Sequence, residues 1–231
     1  MSDAIVIMAT ADTDIMDMGY KLAQETHQYI RENCPGNQLS RLTFIGHSMG
    51  GLIIRAALPY LDKFKDKMHG YISLCSPHLG YMYKTSKLFS TGMWILNKWK
   101  KSTSITQLRM ADARSTEESC LFRMSKLEGL KWFKYMMLVS SFQDQYAPFD
   151  SARLQICREA AKDVKQGNHY IQMVNSLLGN TPTQVLYRLD VNFNIEETNL
   201  DSMIGRTAHI LFLENEDLMR MIVARYKVIF S

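Results

Sequence analysis

What this sequence lacks narrows it first. Its four cysteines, Cys34, Cys75, Cys120 and Cys157, form no Cys-x-x-Cys pair. Their spacing therefore writes neither a zinc ribbon nor a dithiol redox motif, and no metal site is expected from it. They read as reduced thiols of a cytoplasmic protein. No stretch approaches the roughly 18 consecutive apolar residues of a membrane-spanning helix. The start, Met1-Ser2-Asp3, carries no basic segment, and the apolar run Ala4–Ala9 is too short for a secretory signal. There is no Asn-x-Ser/Thr sequon. Charge of one sign is also scarce. A net +4 over 231 residues calls for neither nucleic acid nor an anionic membrane as partner. Internal repeats and low-complexity tracts are missing as well, so residues 1–231 are expected to form one domain.

What is present is apolar and periodic. Hydrophobic residues make up 46% of the chain, enough for a sizeable core. Sixteen methionines suit an adaptable, lipid-like pocket without demonstrating one. Ala4–Thr10 reads as a buried strand. Asp12, Asp14 and Asp17 lead into a helix over about Ile15–Glu32, with Ile15, Met18, Tyr20, Leu22, Ala23 and Ile30 on its apolar face. These aspartates lack the glycine and distal glutamate of a calcium loop and are read as helix N-terminal acids. Cys34-Pro35-Gly36-Asn37 ends that helix. Further strands are expected to end at Ile45, to span His69–Cys75, Trp132–Ser140 and Val185–Phe193, with helices near Met49–Asp62, Ser151–Lys165, Tyr170–Leu178 and Glu214–Phe230. Strands alternating with helices imply an α/β fold with a mainly parallel sheet.

Residues 81–130 contain no convincing strand and read as a helical lid insertion. Within them Gly92–Lys101 is basic and carries Trp94 and Trp99. A lid or core role is the preferred reading. Peripheral membrane contact through those tryptophans is the weaker one.

The chain is organised around Gly46-His47-Ser48-Met49-Gly50, which matches G-x-S-x-G between a β-branched run and an apolar helix. That is the context of a nucleophile elbow, the strained strand-to-helix turn of the α/β-hydrolases. Gly46 and Gly50 are expected to make room for the turn, and Gly51 to let the helix approach the sheet. The helix N-terminus offers N–H groups to developing negative charge, with the Met49 N–H as the first oxyanion donor.

A serine nucleophile needs a base, and the base an orienting acid. In this fold they follow in the order Ser, Asp or Glu, His. Asp144 lies just past a strong strand, and His209 lies in an expected loop between the last strand and the last helix. Ser48, Asp144 and His209 are therefore the catalytic candidates, with Asp150 as second choice for the acid. His47 is expected to point away from the base position, and His78 to sit near the mouth of the site; both are candidate substrate contacts. His69 starts a strand at the wrong end, and His169 reads as a helix-start or surface residue. The chemistry needs no cofactor and no metal. Its substrate would be an acyl ester, lipid esters included, attacked through an acyl-enzyme.

The chain resembles the "putative serine esterase" family with a lipase-like α/β-hydrolase domain. Within it, the chain looks most like the C-terminal domain of the eukaryotic "family with sequence similarity 135" proteins. The resembling segments are Asp17–Glu25, Phe44–Pro59, Leu74–Tyr83, Ser140–Arg153 and Asp201–His209. The resemblance implies a serine esterase or lipase with its triad on Ser48, Asp144 and His209, and no particular substrate. One departure stands out. No His-Gly oxyanion loop precedes Ser48, so the chain reads as a fragment or as a version without its front end. The family's sheet would place the missing strand beside the elbow strand. Its loop would supply the second oxyanion donor, worth about 10²–10³ in turnover. The alternative function is therefore a catalytically impaired hydrolase-fold module that binds a lipid or a protein. Composition is silent on oligomeric state.

Overall fold

The computed structural model describes residues 14–34, 36, 38–83, 102–179, 184–195 and 201–230. The expected strand Ala4–Thr10 and the Trp94/Trp99 segment lie outside them.

Asp14 is the first described residue. Its Oδ1 accepts from the N–H groups of Met16 (2.7 Å) and Asp17 (3.3 Å), capping helix α1, Ile15–Asn33. This satisfies donors that the first turn leaves without helical partners. Ile15, Met18, Leu22, Ala23 and Ile30 are buried as the spacing predicts. Tyr20 is not: it is exposed and meets Tyr60 edge-on, with ring centroids 5.1 Å apart.

Four strands follow among the described residues: β1 (Leu42–His47), β2 (Met68–Leu74), β3 (Tyr135–Ser140) and β4 (Val185–Asp190). They form one parallel sheet in the order β1-β2-β3-β4. The connections are long and carry helices, as parallel neighbours require. The two central strands are buried along almost their whole length, whereas β4 is largely exposed or half-buried. Central strands of a parallel sheet have both faces covered, which explains their unbroken apolar runs.

Alternation along β3 separates two cores. Met136 and Leu138 face the first, and Tyr135, Met137 and Val139 face the second. A slip of one residue would exchange them, so the packing fixes the register. The first core is closed by α1, α2 (Met49–Ala57), α3 (Thr103–Leu108), α4 (Cys120–Ser125), and, after the short helices α5 (Phe149–Arg153) and α6 (Arg158–Lys162), by α7 (Gly167–Leu178). The second is closed by α8 (Asp201–Glu214), α9 (Glu216–Arg225) and α10 (Lys227–Phe230), through Ala208, Phe212, Leu218, Ile222 and Ile229. The architecture is a parallel α/β sheet flanked by helices, of the α/β-hydrolase-like kind. No helix among the described residues is long and apolar enough to cross a membrane.

Two expected helices change. The single helix expected over Ser151–Lys165 is two, because Leu154 closes α5 in the left-handed conformation at φ 52°. Within the described part of the expected lid, 102–130, the helical turns pack inward while 109–118 is exposed or half-buried. Ile105, Leu108, Leu121, Phe122 and Met124 belong to the first cluster. Gln107 bonds both the Asp14 carboxylate and the Ile15 N–H. The closing helix starts at Asp201 rather than Glu214, and its breaks fall at Asn215, whose side chain caps α9, and at Tyr226. His209 consequently lies inside a helix and not in a loop. Ala208 and Phe212, four residues apart, are both fully buried, which is the helical spacing that holds α8 on the sheet.

Candidate active site

β1 ends at His47, and α2 starts at Met49. Ser48 alone makes the corner, at φ 55° and ψ −123°. A serine in this region costs of order 1–3 kcal/mol, which the surrounding structure must offset. Its N–H continues the ladder to Leu74 O at 2.9 Å. Its side chain makes no capping bond to α2 and stays free to point elsewhere. The glycines divide. A Cβ on Gly46 would stand 2.5 Å from Gly51 N, and one on Gly51 would stand 2.3 Å from Ser76 Oγ, so both are required for the close approach of helix and sheet. A Cβ on Gly50 would meet nothing within 4 Å. The expectation that Gly50 makes room is therefore wrong.

Ser48 Oγ lies 2.9 Å from His209 Nε2, and His209 Nδ1 lies 2.6 Å from Asp144 Oδ2. Asp144 follows β3, and its side chain is almost fully buried. Its Oδ1 accepts from the N–H groups of Tyr146 (2.7 Å) and Ala147 (3.1 Å), which leaves Oδ2 aimed at the imidazole. A carboxylate in that position holds the ring with its proton on Nδ1 and a lone pair on Nε2. Asp150 sits instead in the first turn of α5, where burial and Glu159 push its carboxyl up.

The other histidines separate clearly. His47 does not point away from the base. Its Nε2–H donates to the His209 carbonyl at 2.9 Å, and the two rings lie 4.8 Å apart. Burial and the neighbouring His209 hold it below its ordinary value, so it is neutral near pH 7. His78 is not at the mouth: it is fully buried. Its ring bonds Ser73 Oγ at 2.8 Å, and its carbonyl accepts from Arg55 Nη1 at 2.9 Å. Burial and Arg55 keep it neutral, and burial draws Arg55 itself down to about 10. This pair ties the elbow helix to the loop after β2. His69 Nε2–H donates to Val228 O at the far end of the sheet, and His169 pairs with Glu117 near the start of α7.

Sequence reasoning missed Cys75, Tyr81 and Tyr146. Cys75 follows β2 as Ser48 follows β1, at φ 46°, with Sγ 3.5 Å from His209 Nδ1. Burial and Asp144 hold its thiol well above the ordinary range. Burial beside the same Asp144 also raises the Tyr81 phenol, and the Tyr146 ring lies 5.2 Å from that of His209. The one available signal was positional: Cys75 and Tyr81 flank the loop after β2, and the ends of neighbouring parallel strands share one edge.

Residues 6–159, two thirds of the chain, match the family described as "Putative serine esterase". The chain belongs to this family. The matched stretch takes in Ser48 and Asp144 and stops short of His209. No solved structure matches the chain. Membership of this esterase family supports a hydrolase.

Proposed function

We propose that the protein is a serine hydrolase of carboxylic esters. The observation that carries the reading is the continuous chain Ser48 Oγ–His209–Asp144, at 2.9 and 2.6 Å. His209 Nε2 takes the Ser48 proton as Oγ attacks the acyl carbonyl. The oxyanion forms at the N-terminus of α2, where the Met49 N–H has no helical partner and the helix dipole favours negative charge. His209 then gives its proton to the departing alcohol, leaving an acyl-serine that water hydrolyses by the same route. Asp144 holds the imidazole orientation and stabilises its charged form. Exposed Phe142, stacked on Phe149 and two residues from Asp144, supports an apolar acyl group such as that of a lipid ester.

A fluorescent fluorophosphonate tests this on the purified chain. Wild type labels, Ser48→Ala does not, and Ser76→Ala labels as wild type does. Removing the serine costs about 10⁶ in turnover where the chemistry runs this way. A wild-type chain that stays unlabelled would refute the esterase reading and leave a module that binds a lipid or a protein.

A further inference from the structure

Two imidazoles and a thiol meet at the candidate site, yet the proposed reaction uses only one of them as a base. One ligand atom each from His47, Cys75 and His209 lie within 4.8 Å of one another. The three residues come from three separately anchored places: the end of β1, the corner after β2 and the middle of α8. Tetrahedral zinc holds sulfur at about 2.3 Å and imidazole nitrogen at about 2.0–2.1 Å, which sets a nitrogen–sulfur edge of about 3.5 Å. The Cys75 Sγ to His209 Nδ1 separation is 3.5 Å. That edge already has the zinc spacing, and the widest separation in the trio, up to 4.8 Å, exceeds a tetrahedral edge by about 1.4 Å, which a turn of the His47 side chain closes. A nitrogen–nitrogen–sulfur set selects a borderline-soft ion such as zinc over magnesium or calcium, which require oxygen. The spacing of the cysteines along the chain concealed this cluster, because only the fold brings Cys75 to the histidines.

We propose that His47, Cys75 and His209 bind one zinc ion, and that the bound ion switches the serine site off. The ion displaces the thiol proton to solvent, the His209 proton moves from Nδ1 to Nε2, and the sulfur, His209 Nδ1 and one His47 nitrogen each give the ion a lone pair. No electron changes hands. His209 then carries its proton on Nε2, has no lone pair to receive the Ser48 proton, and has lost its bond to Asp144. The switching half rests on the proposed role of His209; the binding half does not.

Cobalt(II) replaces zinc and reports thiolate ligation optically. The purified chain is expected to take one equivalent of cobalt with a near-ultraviolet thiolate-to-cobalt charge-transfer band that zinc abolishes. Cys75→Ser is expected to lose the band. A wild-type chain without the band, or a band that survives in Cys75→Ser, overturns the metal site. The wild-type spectrum decides the matter even if the variant misfolds. In the same preparations zinc is expected to stop fluorophosphonate labelling of wild type. Cys75→Ser, compared with its own metal-free rate, needs at least about tenfold more zinc, since even an outer-shell partner is worth roughly 10–100-fold in metal affinity. Undiminished labelling of a zinc-loaded wild type overturns the switch. Failure of the esterase reading shows separately, as a metal-free wild type that never labels while the cobalt band persists.

Discussion

The ends of β1 and β2 lie side by side and use the same backbone device. Each strand passes its last residue to a non-glycine corner at positive φ, Ser48 at 55° and Cys75 at 46°. Each corner keeps its N–H in the ladder, Ser48 to Leu74 O and Cys75 to Val139 O. Both side chains reach the same imidazole, but at opposite nitrogens. The hydroxyl meets Nε2, where a lone pair can receive its proton. The thiol shares Nδ1 with Asp144, whose charge and burial hold it protonated. By intrinsic chemistry the thiol is the better nucleophile, and on the proposed reading placement reverses the order. A strained corner presents a side chain; the atom across from it decides whether that side chain reacts.

Asp144→Asn breaks the comparison most deeply, because this carboxylate acts on both corners. The amide no longer fixes the imidazole tautomer, and labelling of Ser48 is expected to fall by about 10⁴ in rate. The same change removes a charge that keeps Cys75 protonated, so alkylation of that thiol is expected to speed up. Rate measurements with a fluorophosphonate and with iodoacetamide on one preparation check both directions. Gly46→Ala instead strikes the Ser48 corner alone. Its methyl would stand 2.5 Å from Gly51 N, and a urea midpoint is expected to show a loss of about 1–3 kcal/mol.

A smaller effect sharpens the contrast from the Cys75 side. In the wild type, Cys75 is expected to alkylate more than about tenfold slower than half-exposed Cys34, since each unit of raised pKa lowers the thiolate fraction tenfold. Because the shift is upward, its rate climbs only at pH well above the ordinary thiol range; mass spectrometry of Cys75 across pH reads this directly. The smallest effect belongs to Gly50→Ala. Its methyl enters open space in a helix, so stability is expected to stay level or rise by up to about 1 kcal/mol.

Parts of this arrangement were legible in the sequence because they are local. Ser48 announces itself through glycines, a β-branched run before it and an apolar helix after it. Asp144 was found by position, immediately beyond a run that could only be a buried strand, and Asp14 by capping preference. His209 follows from chain order, but its helix does not: Gly205 weakens helical propensity, and Ala208 and Phe212 belong to a buried cluster whose strand members lie far away in sequence. Its place after a strand end puts His78 near the mouth of the site, whereas the bond from Arg55 draws its loop inward. The contacts of His47 and Cys75 with His209 join residues 162 and 134 positions apart, which no periodicity reports.

The place of His209 within α8 has a consequence for how the molecule can fail. The helix that carries the imidazole is also the lid of the second core, with its neighbours Ala208 and Phe212 pressed into the sheet. Local opening of this segment withdraws the proton acceptor and uncovers greasy surface in one cooperative event, while the corner at Ser48 stays formed. On the proposed reading, a partly opened molecule is silent and prone to stick rather than promiscuously active. Quality control that captures exposed apolar surface would then remove the inactive copies and leave the competent ones in circulation.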